Sequence, residues 1–381
     1  GNSLHGYDSA IVAGYKNCVT DSDSFIGAGN SNTVSGYYRN NIVGGHLNKI
    51  DGGRVCNGFI GAGCKNLITG SDDSSIVGGT LNTASAACSF IGGGHNNLTK
   101  TCTYSDYYGV FFSDGTGSLI VGGTLNTSST DYSFIGGGKN NFINVSSRSG
   151  YCHEGGCSVI AGGQNNVLSS CHSFIGSGCC NSISAYYGYS SIVGGSDNSI
   201  SGEYVENSSI LGGLCNLIRG GANSTSIAGG FKNTGSGAYS FIGAGHCNSN
   251  SGYRSIIGAG SDNSLSGYHS AIVAGYNNCV TDNRSFIGAG NSNTVSSYYY
   301  NNIVGGNLNK IDGYNCNGFI GAGCKNLIDS VDNSSIVGGT LNTASAACTG
   351  ILGGQNNHAC EIHSFIIGSN ITSTAACTTF V

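Results

Sequence analysis

The sequence predicts an all-β fold: a parallel β-solenoid with one repeat of about 15 residues per turn. Three observations predict it. A nine-residue unit, Ser24-Phe25-Ile26-Gly27-Ala28-Gly29-Asn30-Ser31-Asn32, recurs from one end to the other, its last Asn anchoring copies from Asn17 to Asn357. An Ile stands six residues before every anchor and a Gly three before it, from Ile11 and Gly14 to Ile351 and Gly354. Successive anchors lie fifteen residues apart or somewhat more, never fewer.

Each constant residue has a physical reason. A short strand with one apolar position cannot bury itself. Stacked on its own copies, its Ile joins a continuous apolar column while its backbone pairs with the turns on either side. The expected column begins Ile11, Ile26, Ile42, Ile60, Ile76, Ile91. The Gly marks a corner, expected at φ > 0, that costs any residue with a Cβ. The Asn is expected to form a ladder of side-chain amides bonding the next turn and the corner backbone, beginning Asn17, Asn32, Asn48, Asn66, Asn82, Asn97.

On this reading residues 1–381 form one array of about 22 repeats, an elongated rod on the order of 100 Å at about 4.8 Å per turn. Two long intervals, Asn97 to Asn126 and Asn141 to Asn166, define inserted loops at 100–117 and 144–156. Extra residues always fall between an anchor and the next Ser-x-Ile, so insertions leave at one corner and decorate one side. A longer duplication overlies the short one: residues 2–97 recur as 263–357, and Ser24–Ser35 is identical to Ser285–Ser296. Fifteen short repeats separate the copies, an odd number that a strict two-repeat turn would place on opposite sides. One repeat per turn is therefore expected. The chain opens and closes inside a repeat without polar caps, which suggests a window of a longer fibre or subunits stacked end to end.

Composition excludes several classes. The chain has 67 Gly, no Pro, Met or Trp, 9% charged residues and 39% hydrophobic ones, unlike an ordinary globular enzyme. Its net charge of −5 offers no basic surface for nucleic acid. No apolar run approaches the length of about 20 residues that a helical membrane span needs. Eighteen Cys point to an oxidising setting or a virion. Offset from the anchors suggests two disulfides: Cys157 with Cys171, nine and ten residues before theirs, and Cys88 with Cys102, six and five after. Buried free thiols are the alternative.

Candidate chemistry is sparse. Cys152-His153-Glu154-Gly155-Gly156-Cys157 lacks a second pair at zinc-finger spacing and reads as a disulfide-tethered loop. No Ser/His/Asp arrangement or nucleophile elbow is present, and Gly92-Gly93-Gly94 lacks the Lys-Ser/Thr of a phosphate loop. No catalytic residue, cofactor or metal is expected, and the chain does not read as an enzyme. Tyr107, Tyr108, Phe111 and Phe112 in the first insertion could contact a glycan or a partner, or fold down over the coil. The sequons at Asn144, Asn207, Asn223, Asn283 and Asn333 fall at the insertion corner and would carry sugars there; those at Asn97 and Asn126 are ladder anchors and should be unavailable.

Units such as Ser89-Phe90-Ile91-Gly92-Gly93-Gly94-His95-Asn96-Asn97 and Tyr132-Ser133-Phe134-Ile135-Gly136-Gly137-Gly138, joined by Ser-Gly-Tyr-type links, resemble the head repeats of YadA-like trimeric autotransporter adhesins and similar arrays in phage tail-fibre and giant-virus surface proteins. The resemblance covers nearly the whole chain. It implies a left-handed β-roll, a homotrimer, and a place outside a cell or particle. The expected function is a structural fibre or filament at an extracellular, cell or virion surface, self-associating as a homotrimer or an end-to-end filament. The competing expectation is an adhesin-type module whose loop-bearing edge recognises a glycan or cell-surface receptor.

Overall fold

The computed structural model describes residues 1–53, 55–100, 103–105, 111–113, 117–145 and 156–381, with backbone only at 103–105 and 111–113. The described residues form strands and turns without a helix, so none is long and apolar enough to cross a membrane. The chain divides into two compact units, Gly1–Ser199 and Ile200–Val381. Each is a parallel β-solenoid.

Among the described residues each turn with an Asn anchor carries a short strand built on the repeated Ile, and the last strand, Thr379–Phe380, sets Phe380 in that place. In the first unit Ala10–Ile11, Phe25–Ile26, Asn41–Ile42 and Phe59–Ile60 pair in parallel, Ile on Ile. In the second, Ile242, Ile257, Ile272 and Ile287 stack the same way. Consecutive repeats are thus direct neighbours, which is one repeat per turn. Ile26, Ile42, Ile60, Ile76 and Ile91 are wholly buried and Ile11 is half-buried. Each full burial contributes about 1.5–3 kcal/mol.

A second strand follows each anchor, and the repeat reading had not anticipated it. Cys18–Val19, Thr33–Ser35, Lys49–Asp51 and Leu67–Thr69 pair so that Val19, Val34, Ile50 and Ile68 align. These residues, two after the anchor, are also wholly buried. The core of a turn is therefore supplied from both strands, with Asn-x-Val alternation setting the inward side. A third line of parallel bridges, one residue per turn, runs through Tyr15, Asn30, His46 and Cys64 in the first unit and Phe231, His246, Ser261 and Tyr276 in the second.

The corner before the anchor explains the other two constants. Gly29 has φ of 102°, and a Cβ there would lie 2.2 Å from the carbonyl oxygen of Gly45 in the next turn. The Asn32 Nδ2 donates to Ala28 O at 3.1 Å within its turn and to Gly45 O at 3.0 Å in the next. Its Oδ1 accepts from the backbone N–H of Asn48 at 3.0 Å, as Asn17 Oδ1 accepts from Asn32. Each buried amide thus satisfies backbone groups that the tight corner would leave unpaired.

The opposite corner, just before Ser-x-Ile, varies in length. In a regular turn the Ser9 Oγ donates to Asp21 O at 2.7 Å and accepts from Ser24 N–H at 3.0 Å. Longer turns use buried amides and carboxylates: Asn40 donates to Asp21 Oδ2 at 2.8 Å and to Val55 O at 2.7 Å, and accepts from Gly58 N–H at 2.8 Å. Asn301 repeats this with Asp282, Asn315 and Gly318. Both large insertions leave here, between Leu98–Lys100 and Leu119–Ile120 and between Phe142–Ile143 and Val159–Ile160. Within the first, Thr103–Ser105 and Phe111–Ser113 pair antiparallel.

Candidate functional site

The groups able to meet a ligand sit where the coil turns, because strand residues point alternately into the core and onto a flat face. At the corner before Ser-x-Ile, the Ser-Gly-Tyr links place aromatic rings in successive turns. In the second unit Tyr253 lies 5.6 Å from Tyr239, 6.1 Å from Tyr268 and 5.8 Å from His269, centroid to centroid. The Arg254 guanidinium lies over two of these rings, 5.0 Å from Tyr253 and 5.7 Å from Tyr239. Tyr239 and Tyr268 are half or more exposed. Nearby, Arg284 Nη1 donates to the Tyr300 hydroxyl at 2.6 Å with its guanidinium 5.4 Å from that ring. Such cation–π contacts hold an exposed arginine with about 0.5–1 kcal/mol each. Flat aromatic faces with fixed donors suit the apolar faces and hydroxyls of a sugar, or a partner's surface.

In the first unit the same corner forms a hollow of about 370 Å³ lined by Asp23, Tyr38, Arg39, Cys56 and Asn57. Tyr38 packs edge-on to Tyr37 at 4.2 Å. Their hydrogen bond pushes the Tyr38 hydroxyl above its ordinary pKa of 10.0. The Cys56 thiol is also raised, by burial and then by the Asp72 carboxylate. Neither group is an activated nucleophile, since activation needs a depressed pKa.

Several expected site residues fall differently. Cys157 is a free, exposed thiol, whereas Cys171 is buried and disulfide-bonded; the expected pair does not form. The cause is one residue of phase: His172 at φ 50°, not Cys171, is the counterpart of Cys157 at φ 28°. Neighbouring residues point to opposite sides, so Cys157 faces out and Cys171 faces in. Cys88 is likewise free and exposed, at φ 52°, so it does not bridge to Cys102, which lies outside the described residues. Tyr107 and Tyr108 also lie outside them, as does the Cys152–Gly155 stretch; Phe111 and Phe112 are described as strand backbone alone.

Among the sequons, Asn207 and Asn333 are exposed at the insertion corner, while Asn144, Asn223 and Asn283 are half-buried. The Asn223 amide is engaged with Glu206 Oε1 at 2.7 Å. Asn97 and Asn126 are buried in the ladder. The aromatic column at Tyr239, Tyr253 and Tyr268 was missed because each Tyr sits alone in its repeat. The signal was present in the recurrence of Gly-x-Tyr or Gly-Tyr before Ser-x-Ile.

No family model matches the chain, and no curated protein matches it.

Proposed function

We propose that this protein is a structural fibre protein of a cell or virion surface, a β-solenoid rod that self-associates as a homotrimer or an end-to-end filament. One observation carries the reading. The same buried Ile and buried Asn recur turn after turn in both units, and the described turns spend their constant residues on stacking rather than on a cleft. Within each unit, backbone, amide ladder and core repeat from turn to turn, which gives stiffness at small sequence cost. Electron microscopy of the purified protein, with its mass in solution, tests this. Rods or filaments with a trimeric or larger mass are expected; compact monomeric particles would overturn it.

A second reading is favoured by the aromatic and arginine column in the second unit: an adhesin-type module that recognises glycan or a receptor along that edge. A glycan array probed with the wild type and with Tyr253→Ala separates the two. Binding abolished by this substitution, with the assembly unchanged, supports recognition.

A further inference from the structure

At the corner before the anchor, we propose that His246, Cys247 and Asp262 form a binding site for zinc or a similar thiophilic divalent metal ion. His246 and Cys247 end one turn and Ser261 and Asp262 end the next, with His246 and Ser261 paired across the turns. One donor atom from each of His246, Cys247 and Asp262 lies within 4.8 Å of the others.

The imidazole is gripped from both sides. Phe231, in the turn before, stacks on it at 5.2 Å and 9°. From the turn after, Ser261 Oγ lies 3.2 Å from His246 Nδ1 and donates its own proton to Asp262 Oδ2 at 2.7 Å. The hydroxyl has therefore spent its hydrogen on the carboxylate and accepts from Nδ1–H. That fixes the tautomer and leaves the lone pair on Nε2, which faces the Cys247 sulfur at 3.3 Å. A second partner that orients the ring is the arrangement that ligating histidines need.

The spacing suits a metal. A tetrahedral zinc with Zn–S of about 2.3 Å and Zn–N of about 2.0 Å sets those two donors about 3.5 Å apart. Small side-chain rotations open the gap to that value. On binding, the Cys247 thiol gives up its proton and the ion takes the place of the S–H that bridges to Nε2. The carboxylate supplies the third donor, leaving one position for water. A set of thiolate, imidazole and carboxylate favours zinc over the oxygen-seeking calcium and magnesium. The equivalent corner in the first unit shows what the imidazole adds. There Ser196 Oγ donates to Asp197 Oδ2 at 2.6 Å, but Cys179 and Cys180 meet each other, sulfur to sulfur, at 3.0 Å.

The test uses the reduced full chain titrated with Co²⁺, whose thiolate charge-transfer and ligand-field bands report sulfur ligation, and with Zn²⁺ in competition. Wild type is expected to take up one more equivalent than His246→Ala and Cys247→Ser, and Asp262→Asn to bind at that position at least tenfold more weakly. All three positions are at the surface, and thermal melts check that the variants fold. If the three variants match the wild type in stoichiometry and spectrum, the bound cobalt sits on other cysteines and the proposal fails.

Discussion

A single atom decides whether a turn can close. The Cβ that Gly29 lacks would strike the carbonyl of Gly45, and the φ of 102° would strain any side chain as well. Gly29→Ala is expected to destabilise the first unit by about 3 kcal/mol or more in a denaturant titration. Asn32→Ala removes the partner of the buried Asn48 N–H and the side-chain donor to the part-buried Ala28 and Gly45 carbonyls, at a cost of about 2–5 kcal/mol by the same measurement. Asp21 and Asp282 act through pH. Burial is the largest cause holding both carboxyls above their ordinary 3.8, against hydrogen bonds from Asn40 and Asn301 that lower them. Between 3.8 and the raised value the folded chain keeps a proton that the unfolded chain has lost, so stability falls as pH rises through that window. Asp51 and Asp312 work the other way. Hydrogen bonds from Lys49 and Lys310 lower them, so their contribution is present above 3.8 and lost as pH falls below it. An Asp21→Asn, Asp282→Asn double variant should gain on the wild type as pH rises from 4 toward 7. Curves that stay parallel would show that burial of these carboxyls is not felt.

At the level of the strand and corner, what was legible in the sequence is what the geometry forbids to vary. The first strand, the Gly and the Asn were readable because the inward slot takes Ile, the corner excludes a Cβ, and the amide must both donate and accept. The second strand was hidden because its slot is more permissive: Val19, Ile50, Ala84, Thr99 and Ser128 all fill it, fully buried. Thr99 and Ser128 find inner partners in the hydroxyls of Ser89 and Ser133, so a polar residue there is no sign of exposure. Cysteine pairing was misread because one residue of phase reverses a side chain, as with Cys157 and Cys171. The His246 to Asp262 cluster could not be seen along the chain, since its donors come from adjacent turns. Only with the pairing of His246 to Ser261 fixed do they come together.

Each described turn in the interior of a unit bonds mainly to the one before and the one after, so stability in each unit is close to a sum of turns and junctions. Damage should stay local. In native hydrogen exchange, Gly29→Ala is expected to lose protection in the strands around Phe25–Ile26 and Asn41–Ile42 while the amides of Ile200–Val381 keep theirs. Uniform loss through both units would mean that the coil melts as one cooperative body.

Turns of unequal length acquire a further importance from this sameness. When each layer asks the same thing of the next, a collapsing chain has little to tell one layer from its neighbours. A skipped layer would satisfy nearly every amide and every isoleucine. The irregular places break the tie: Asp21 must find Gly36 and Asn40, and Asp282 must find Ser297 and Asn301. They work as notches on an otherwise blank ruler, and a chain with every turn trimmed to fifteen residues would lose its way more often than the natural one.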